Sequence, residues 1–79
     1  MPVKDLLEWL DANPFAPFRI RLTNGQSYEV ARSQDVWPGF SSALIGVPAK
    51  DNPRVYDSHV TVGLAHILTI EAVNPVRVE

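Results

Sequence analysis

Cysteine is absent from this 79-residue chain, and with it go disulfide staples, thiolate nucleophiles and Cys-ligated zinc or iron–sulfur sites. Stability has to come from apolar burial or from association, since a core of this size rarely leaves more than roughly 3–5 kcal/mol net. A basic excess is lacking too. Seven Lys and Arg against nine Asp and Glu give a formal charge of -2, which supplies none of the long-range attraction to phosphate that nucleic-acid binders show. The glycines stand singly at positions 25, 39, 46 and 63, so no phosphate-cradling loop is present. The longest uncharged run, Val36 to Ala49, is broken by Pro38, Gly39, Ser41, Ser42, Gly46 and Pro48. The opening residues, Met1 to Asp5, lack the apolar core of a signal peptide. The expectation is a cytoplasmic protein without a membrane span.

Catalytic patterns are equally scarce. There is no Gly-x-Ser-x-Gly elbow, and Ser33, Ser41, Ser42 and Ser58 have no base at a fixed spacing. Asp57 and His59 share a strand face, so a carboxylate–imidazole pair is geometrically feasible. A metal site needs about three converging ligands, and His59 and His66 are the only imidazoles. Structural histidines are the simpler reading. The sequence therefore predicts no enzyme, no metal and no cofactor.

What is present is a change of rhythm. Val3, Leu6, Leu7 and Leu10 recur at i, i+3, i+4 and i+7, an apolar stripe that predicts a helix from about Val3 to Ala12 within a helical N-terminal segment, residues 1–13. Pro14 pushes Asn13 out of helical geometry and ends it. From Phe18 the period becomes two: Phe18, Ile20 and Leu22 face one way, Arg19 and Arg21 the other. A two-residue Asn24-Gly25 loop would set Ile20 against Glu29 and mix faces. A three-residue Thr23-Asn24-Gly25 loop, with Gly25 left-handed, pairs Ile20 with Tyr28, Phe18 with Val30 and Arg19 with Glu29, and is the predicted arrangement. Ser33 to Ser42 reads as a long connection, and Ala43 to Val47 as a third strand. A fourth strand carries Tyr56, Ser58, Val60 and Val62 on one face. Gly63 to His66 is a tight turn, and a fifth strand has Leu68, Ile70 and Ala72 on one face. The tail alternates Val76, Arg77, Val78 and Glu79 and suggests an extra edge strand. The expected fold is α+β, mainly β: one domain in which a helix precedes a strongly bent, five-stranded antiparallel barrel spanning residues 14–79, SH3-like or Sm-like in architecture.

Pro14-Phe-Ala-Pro-Phe-Arg-Ile-Arg-Leu-Thr-Asn-Gly25 and the following Tyr28-Glu-Val30 resemble a group of small uncharacterised bacterial proteins with a helix, a Pro-Phe-x-Pro-Phe elbow and a residue-Gly turn. That resemblance implies a bacterial domain with no assigned activity. The order of elements also resembles Sm-like proteins, and Leu22-Thr-Asn-Gly25 is similar to the Leu-x-x-Gly of their first motif. This likeness implies rings that bind RNA. The chain departs from it where those proteins read bases: Asp35 lacks the following Asn, and Val62-Gly63-Leu64 carries no Arg.

Two segments suggest recognition. Trp37-Pro38-Gly39-Phe40 places two large aromatics in the long loop. They would form a platform for a peptide or a base, or fold back over an open barrel end; a core short of apolar area favours folding back. Arg19 and Arg21 share a strand face and would approach phosphates, although a surface pair with Glu29 is the simpler account. Trp9 is expected at the edge of the helix–sheet contact, and Phe15 and Phe18 as the lock between them. The predicted function is a non-catalytic binding or assembly module that meets protein partners, copies of itself included, through open strand edges, Val76 and Val78, and the Trp37–Phe40 loop. The alternative is an Sm-like ring that binds RNA or single-stranded nucleic acid through Arg19, Arg21, Lys50 and Arg54 with Trp37 stacking.

Overall fold

The first hairpin sets the geometry of the whole molecule. In the computed structural model, which describes residues 1–73, strand β1 (Phe18–Leu22) and strand β2 (Ser27–Val30) pair with Phe18 opposite Val30, Arg19 opposite Glu29 and Ile20 opposite Tyr28. This is the register that requires a shared face for directly opposed residues. Gly25 closes the loop at φ 91°, a left-handed conformation that a side chain would strain. The Gly25 amide donates to the Leu22 carbonyl at 3.0 Å and the Leu22 amide to the Gln26 carbonyl at 2.8 Å. The side chain of Asn24 completes the turn by accepting from the Gln26 amide at 2.9 Å.

Helix α1 (Val3–Leu10) buries Leu6 and Leu10. It stops two residues short of the expected end: the Asp11 amide donates to the Leu7 carbonyl at 2.8 Å, and Asp11 has already left helical geometry. The elbow that follows carries Phe15 against Phe18, with ring centroids 5.8 Å apart, while Trp9 reaches Phe18 from the helix at 5.5 Å. Phe18 is fully buried between them, as the sequence suggests. Fixing one aromatic ring between two others couples the helix to the sheet at its first residue.

The rest of the chain builds strand β3 (Val36–Pro38), strand β4 (Ser42–Pro48), strand β5 (Tyr56–Gly63) and strand β6 (Ile67–Ala72), with 3₁₀ turns at Ser33–Asp35 and Leu64–His66. The strands form two antiparallel three-stranded sheets, ordered β2-β1-β6 and β3-β4-β5. The fold is therefore α+β and mainly β. Two expectations are corrected. There are six strands among the described residues, because Val36, Trp37 and Pro38 pair with Ile45, Leu44 and Ala43 instead of lying in an open connection. No strand pairing joins the two sheets among the described residues, so the closed five-stranded barrel is replaced by two separate sheets. Val76 and Val78 lie outside the described residues.

The inner faces of both sheets meet in one apolar cluster: Phe18, Ile20, Leu22 and Val30 from the first sheet, Val36, Ala43, Ile45 and Val62 from the second, with Leu6, Leu10, Leu64 and Ile67 closing it. Burial of this kind is the main favourable term for so short a chain. Two register shifts decide what stays outside. Between β1 and β6, Arg21 pairs with Thr69 but Leu22 pairs with Ile67, so Leu68 is skipped and stands 64 % exposed. Between β4 and β5, Val47 pairs with Ser58 but Pro48 with Tyr56, so Asp57 is the extra residue. Each bulge reverses the alternation beyond it, which is why Leu68 and Tyr56 do not share the inward face expected from a strict period of two.

Candidate functional site

The outer face of β3-β4-β5 carries the arrangement with most potential for recognition. Trp37, Leu44 and Thr61 form one cross-strand row, and Gly46 and His59 the next. The bulge at Asp57 turns Tyr56 onto this same face. Its ring lies over the bare backbone of Gly46, where an added Cβ would come within 2.7 Å of Tyr56 Cε1. His59 then lies between two rings. Its centroid is 5.6 Å from Tyr56 and 6.1 Å from Trp37, nearly parallel to the latter at 16°. Three aromatic side chains thus lie in sequence along one sheet face, and Trp37 is 55 % exposed.

This row rests on a buried anchor. Asp35, only 5 % exposed, accepts a hydrogen bond from the Tyr56 hydroxyl at 2.7 Å through Oδ1. Arg32 lies 3.0 Å from the same oxygen and donates through Nε to Oδ2 at 3.4 Å. Arg32 also donates to the Pro53 carbonyl at 2.8 Å, and its guanidinium carbon sits 5.8 Å from the centre of the Tyr56 ring. The hydrogen bond to Asp35, followed by burial, holds the Tyr56 phenol above its ordinary pKa. The charged partner and the hydroxyl together make burial of the carboxylate tolerable. Arg32 and Tyr56 support this candidate face, and neither was singled out from the sequence, which set Asp35 only against the Sm-like loop. The signal available was the Arg-x-x-Asp spacing leading into Val36, a buried position.

Beyond Pro38 the chain reverses in a tight hairpin. The Gly39 amide donates to the Ser42 carbonyl at 2.7 Å, and a Cβ on Gly39 would lie 2.9 Å from that oxygen. The closeness of the backbones leaves Phe40 projecting, 97 % exposed. Here the structure overturns the expectation that Trp37 and Phe40 fold back to cover the core. Val36 and Leu64, buried in the core, together with the helix residues Leu6 and Leu10 supply apolar cover without either ring. Beside Phe40 a shallow apolar groove of about 190 Å³ runs between the hairpin and α1, lined by Val3, Leu7, Pro38, Gly39 and Phe40. A second, wetter cleft of about 570 Å³ opens between β2 and β5, with Tyr28, Val60, Val62 and His66 on its walls.

The remaining candidates are placed elsewhere. Arg19 and Arg21 lie on the outer face of the other sheet and are paired: Arg19 with Glu29 at 2.7 Å and Glu71 at 3.7 Å, Arg21 with Glu71 at 2.8 Å. The hydrogen bond that Arg19 donates to Glu29 raises the Arg19 pKa, and the hydrogen bond that Arg21 donates holds Glu71 below the ordinary carboxylate value. The structure therefore does not bring Arg19 and Arg21 together with Trp37. Lys50 and Arg54 sit in the polar turn between β4 and β5, where the Arg54 amide donates to the Asn52 side chain at 3.1 Å. Among the described residues no three His, Asp or Glu side chains converge as metal ligands. No described helix is long and apolar enough to cross a membrane. Comparison of the chain with protein-family models, with curated proteins and with solved structures returned no match.

Proposed function

We propose that this chain is a non-catalytic binding or assembly module that meets a protein partner through the β3–β4 hairpin and the aromatic face beside it. The observation that carries this reading is Phe40, a large apolar side chain 97 % exposed at the tip of a hairpin whose backbone is fixed by its own hydrogen bond. A projecting aromatic next to an apolar groove is the composition of a contact surface, and its rigidity lowers the ordering cost of binding. Affinity capture from the source cell tests it, with the wild-type chain, Phe40→Ser and Trp37→Ala as parallel baits. The reading expects proteins retained by wild type to be depleted with both variants. Identical captured sets for all three would count against it.

Binding of RNA or single-stranded nucleic acid is the second reading. It is supported by the Trp37–His59–Tyr56 row, whose faces match the stacking platforms of single-strand binders. It predicts an oligonucleotide complex that weakens with salt and with Trp37→Ala, and the absence of any shift at low salt would dispose of it. The neutralised Arg19 and Arg21 place it behind the protein-contact reading.

A further inference from the structure

We infer that the groove beside Phe40 is occupied by Phe40 of a second copy of this chain, in a two-fold symmetric dimer centred on Leu7; the inference rests on the hairpin being a protein-contact surface, as proposed above. The knob and the hole lie next to each other on one patch: Phe40 projects from the hairpin, and Val3, Leu7 and Pro38 line the recess at its foot. A two-fold axis through such a patch seats each knob in the other copy's recess, the self-complementarity that an isologous interface requires. The size is suitable. The recess offers about 190 Å³, whereas an apolar cavity of about 150 Å³ is enough to take up benzene. Leu7 stands 37 % exposed on the helix face that would otherwise meet water.

The charges on α1 select a second copy and set its direction. Lys4, Leu7 and Asp11 follow one another at i, i+3 and i+7, a single stripe along the exposed side of the helix and its C-terminal cap. Glu8 is exposed on the same side, one turn on from Lys4; at their separation Lys4 and Asp11 do not reach each other within one chain, and no salt bridge among the described residues uses Lys4, Glu8 or Asp11. Two such helices laid antiparallel about Leu7 bring each Lys4 to the other copy's Asp11, twice over. Parallel alignment sets like against like. An unrelated apolar peptide would satisfy the recess but would have no reason to answer this charge order. A contact made by one ring and one shallow recess per copy is a weak one, so the dimer dissociates on the order of 10–100 μM.

Sedimentation equilibrium across that range is the test, joined to single-cysteine cross-linking, which the absence of native cysteine makes unambiguous. Wild type is expected to move from monomer toward dimer mass and no further, and Phe40→Ser to weaken association roughly tenfold to hundredfold. Phe40 is exposed, so the variant keeps its fold. Lys4→Glu weakens the dimer, and Lys4→Glu combined with Asp11→Lys restores it. Leu7→Cys forms a disulfide-linked dimer on mild oxidation, while Asp57→Cys, at the end of β5 remote from the hairpin, does not. A wild-type monomer at every concentration, growth past dimer, equal cross-linking at both positions, or failure of the charge swap to rescue would each overturn the inference. A monomeric wild type whose captured partners still depend on Phe40 would sink the dimer and leave the contact reading standing. Indifference of both association and capture to Phe40→Ser would sink the two together.

Discussion

On the outside of the β2-β1-β6 sheet, Arg19, Arg21, Glu29 and Glu71 pair with one another; on the outside of the β3-β4-β5 sheet, Trp37, His59 and Tyr56 lie ring against ring, with Tyr56 over the bare backbone of Gly46. The two faces cover the same core from opposite sides and differ in what they leave for a partner. Surface ion pairs contribute little to stability, about 0–1 kcal/mol each, and satisfied charges attract little. Aromatic rings held by a buried carboxylate keep their apolar area on offer, with the ordering cost already met inside the fold. On the function proposed above, recognition falls to the second sheet and its hairpin, with the first sheet as scaffold.

The largest effect should come from removing the anchor of the aromatic face. Asp35→Ala leaves the Tyr56 hydroxyl without its acceptor and Arg32 without its counter-charge, which should cost about 2–3 kcal/mol in urea unfolding. Arg32 is about a third exposed and recovers water, so the loss falls short of a fully buried pair. Loss of the Tyr56 and His59 ring-current shifts should accompany it. A variant as stable as wild type would mean that the anchor is not what fixes the face.

Filling the floor of the same face is the next test. A Cβ at Gly46 would sit 2.7 Å from the Tyr56 ring, so Gly46→Ala should displace Tyr56 and cost about 1–3 kcal/mol by overpacking. The matching change in the first sheet is Gly25→Ala. No atom lies within 4 Å of a Cβ there, and only the φ of 91° opposes it, so a cost of about 1–2 kcal/mol from backbone strain alone is expected. Thermal or urea unfolding ranks the two, and only Gly46→Ala should alter the tyrosine environment.

The ion-pair face should respond least. Arg21→Ala is expected to change stability the least of these variants at neutral pH, because the pair it breaks is screened by solvent. Because Arg21 holds Glu71 below its ordinary pKa, that contribution is present above the ordinary carboxylate value and disappears as pH falls through the lowered one. Wild type and Arg21→Ala should therefore converge in stability once the pH has fallen below that lowered value. An unfolding series from pH 7 downward checks this, and a difference that grows in acid would contradict it.

The same two regions differ in how much their residues disclose in one dimension. The β1–β2 hairpin was legible because opposed residues share a face: only a three-residue loop keeps Arg19 by Glu29 and Ile20 by Tyr28, and the structure has that register. The 3₁₀ turn at Leu64–His66, the buried Phe18 and the half-buried Trp9 followed from similar local rules. The second sheet was less legible because its deciding features are non-local. Strand β3 is three residues long and ends in proline, and it exists because β4 lies beside it. The extra residues Asp57 and Leu68 each reverse a period of two that sequence alternation treats as unbroken. Asp35 reads as a solvated loop charge until Tyr56, twenty-one positions later, is placed over it. As for the candidate site, Trp37 and Phe40 were visible as unusual loop aromatics. Their exposure was not visible, because it depends on which other side chains seal the core.

The account turns on Phe40 being a surface group and not a lid. Urea unfolding of wild type and Phe40→Ser, measured at about 1 μM where self-association adds nothing, tests that most directly. The predicted result is an unchanged free energy of unfolding, within about 0.5 kcal/mol. A loss of about 3 kcal/mol or more, the size expected when a packed phenylalanine is cut back, would show that the ring belongs to the core.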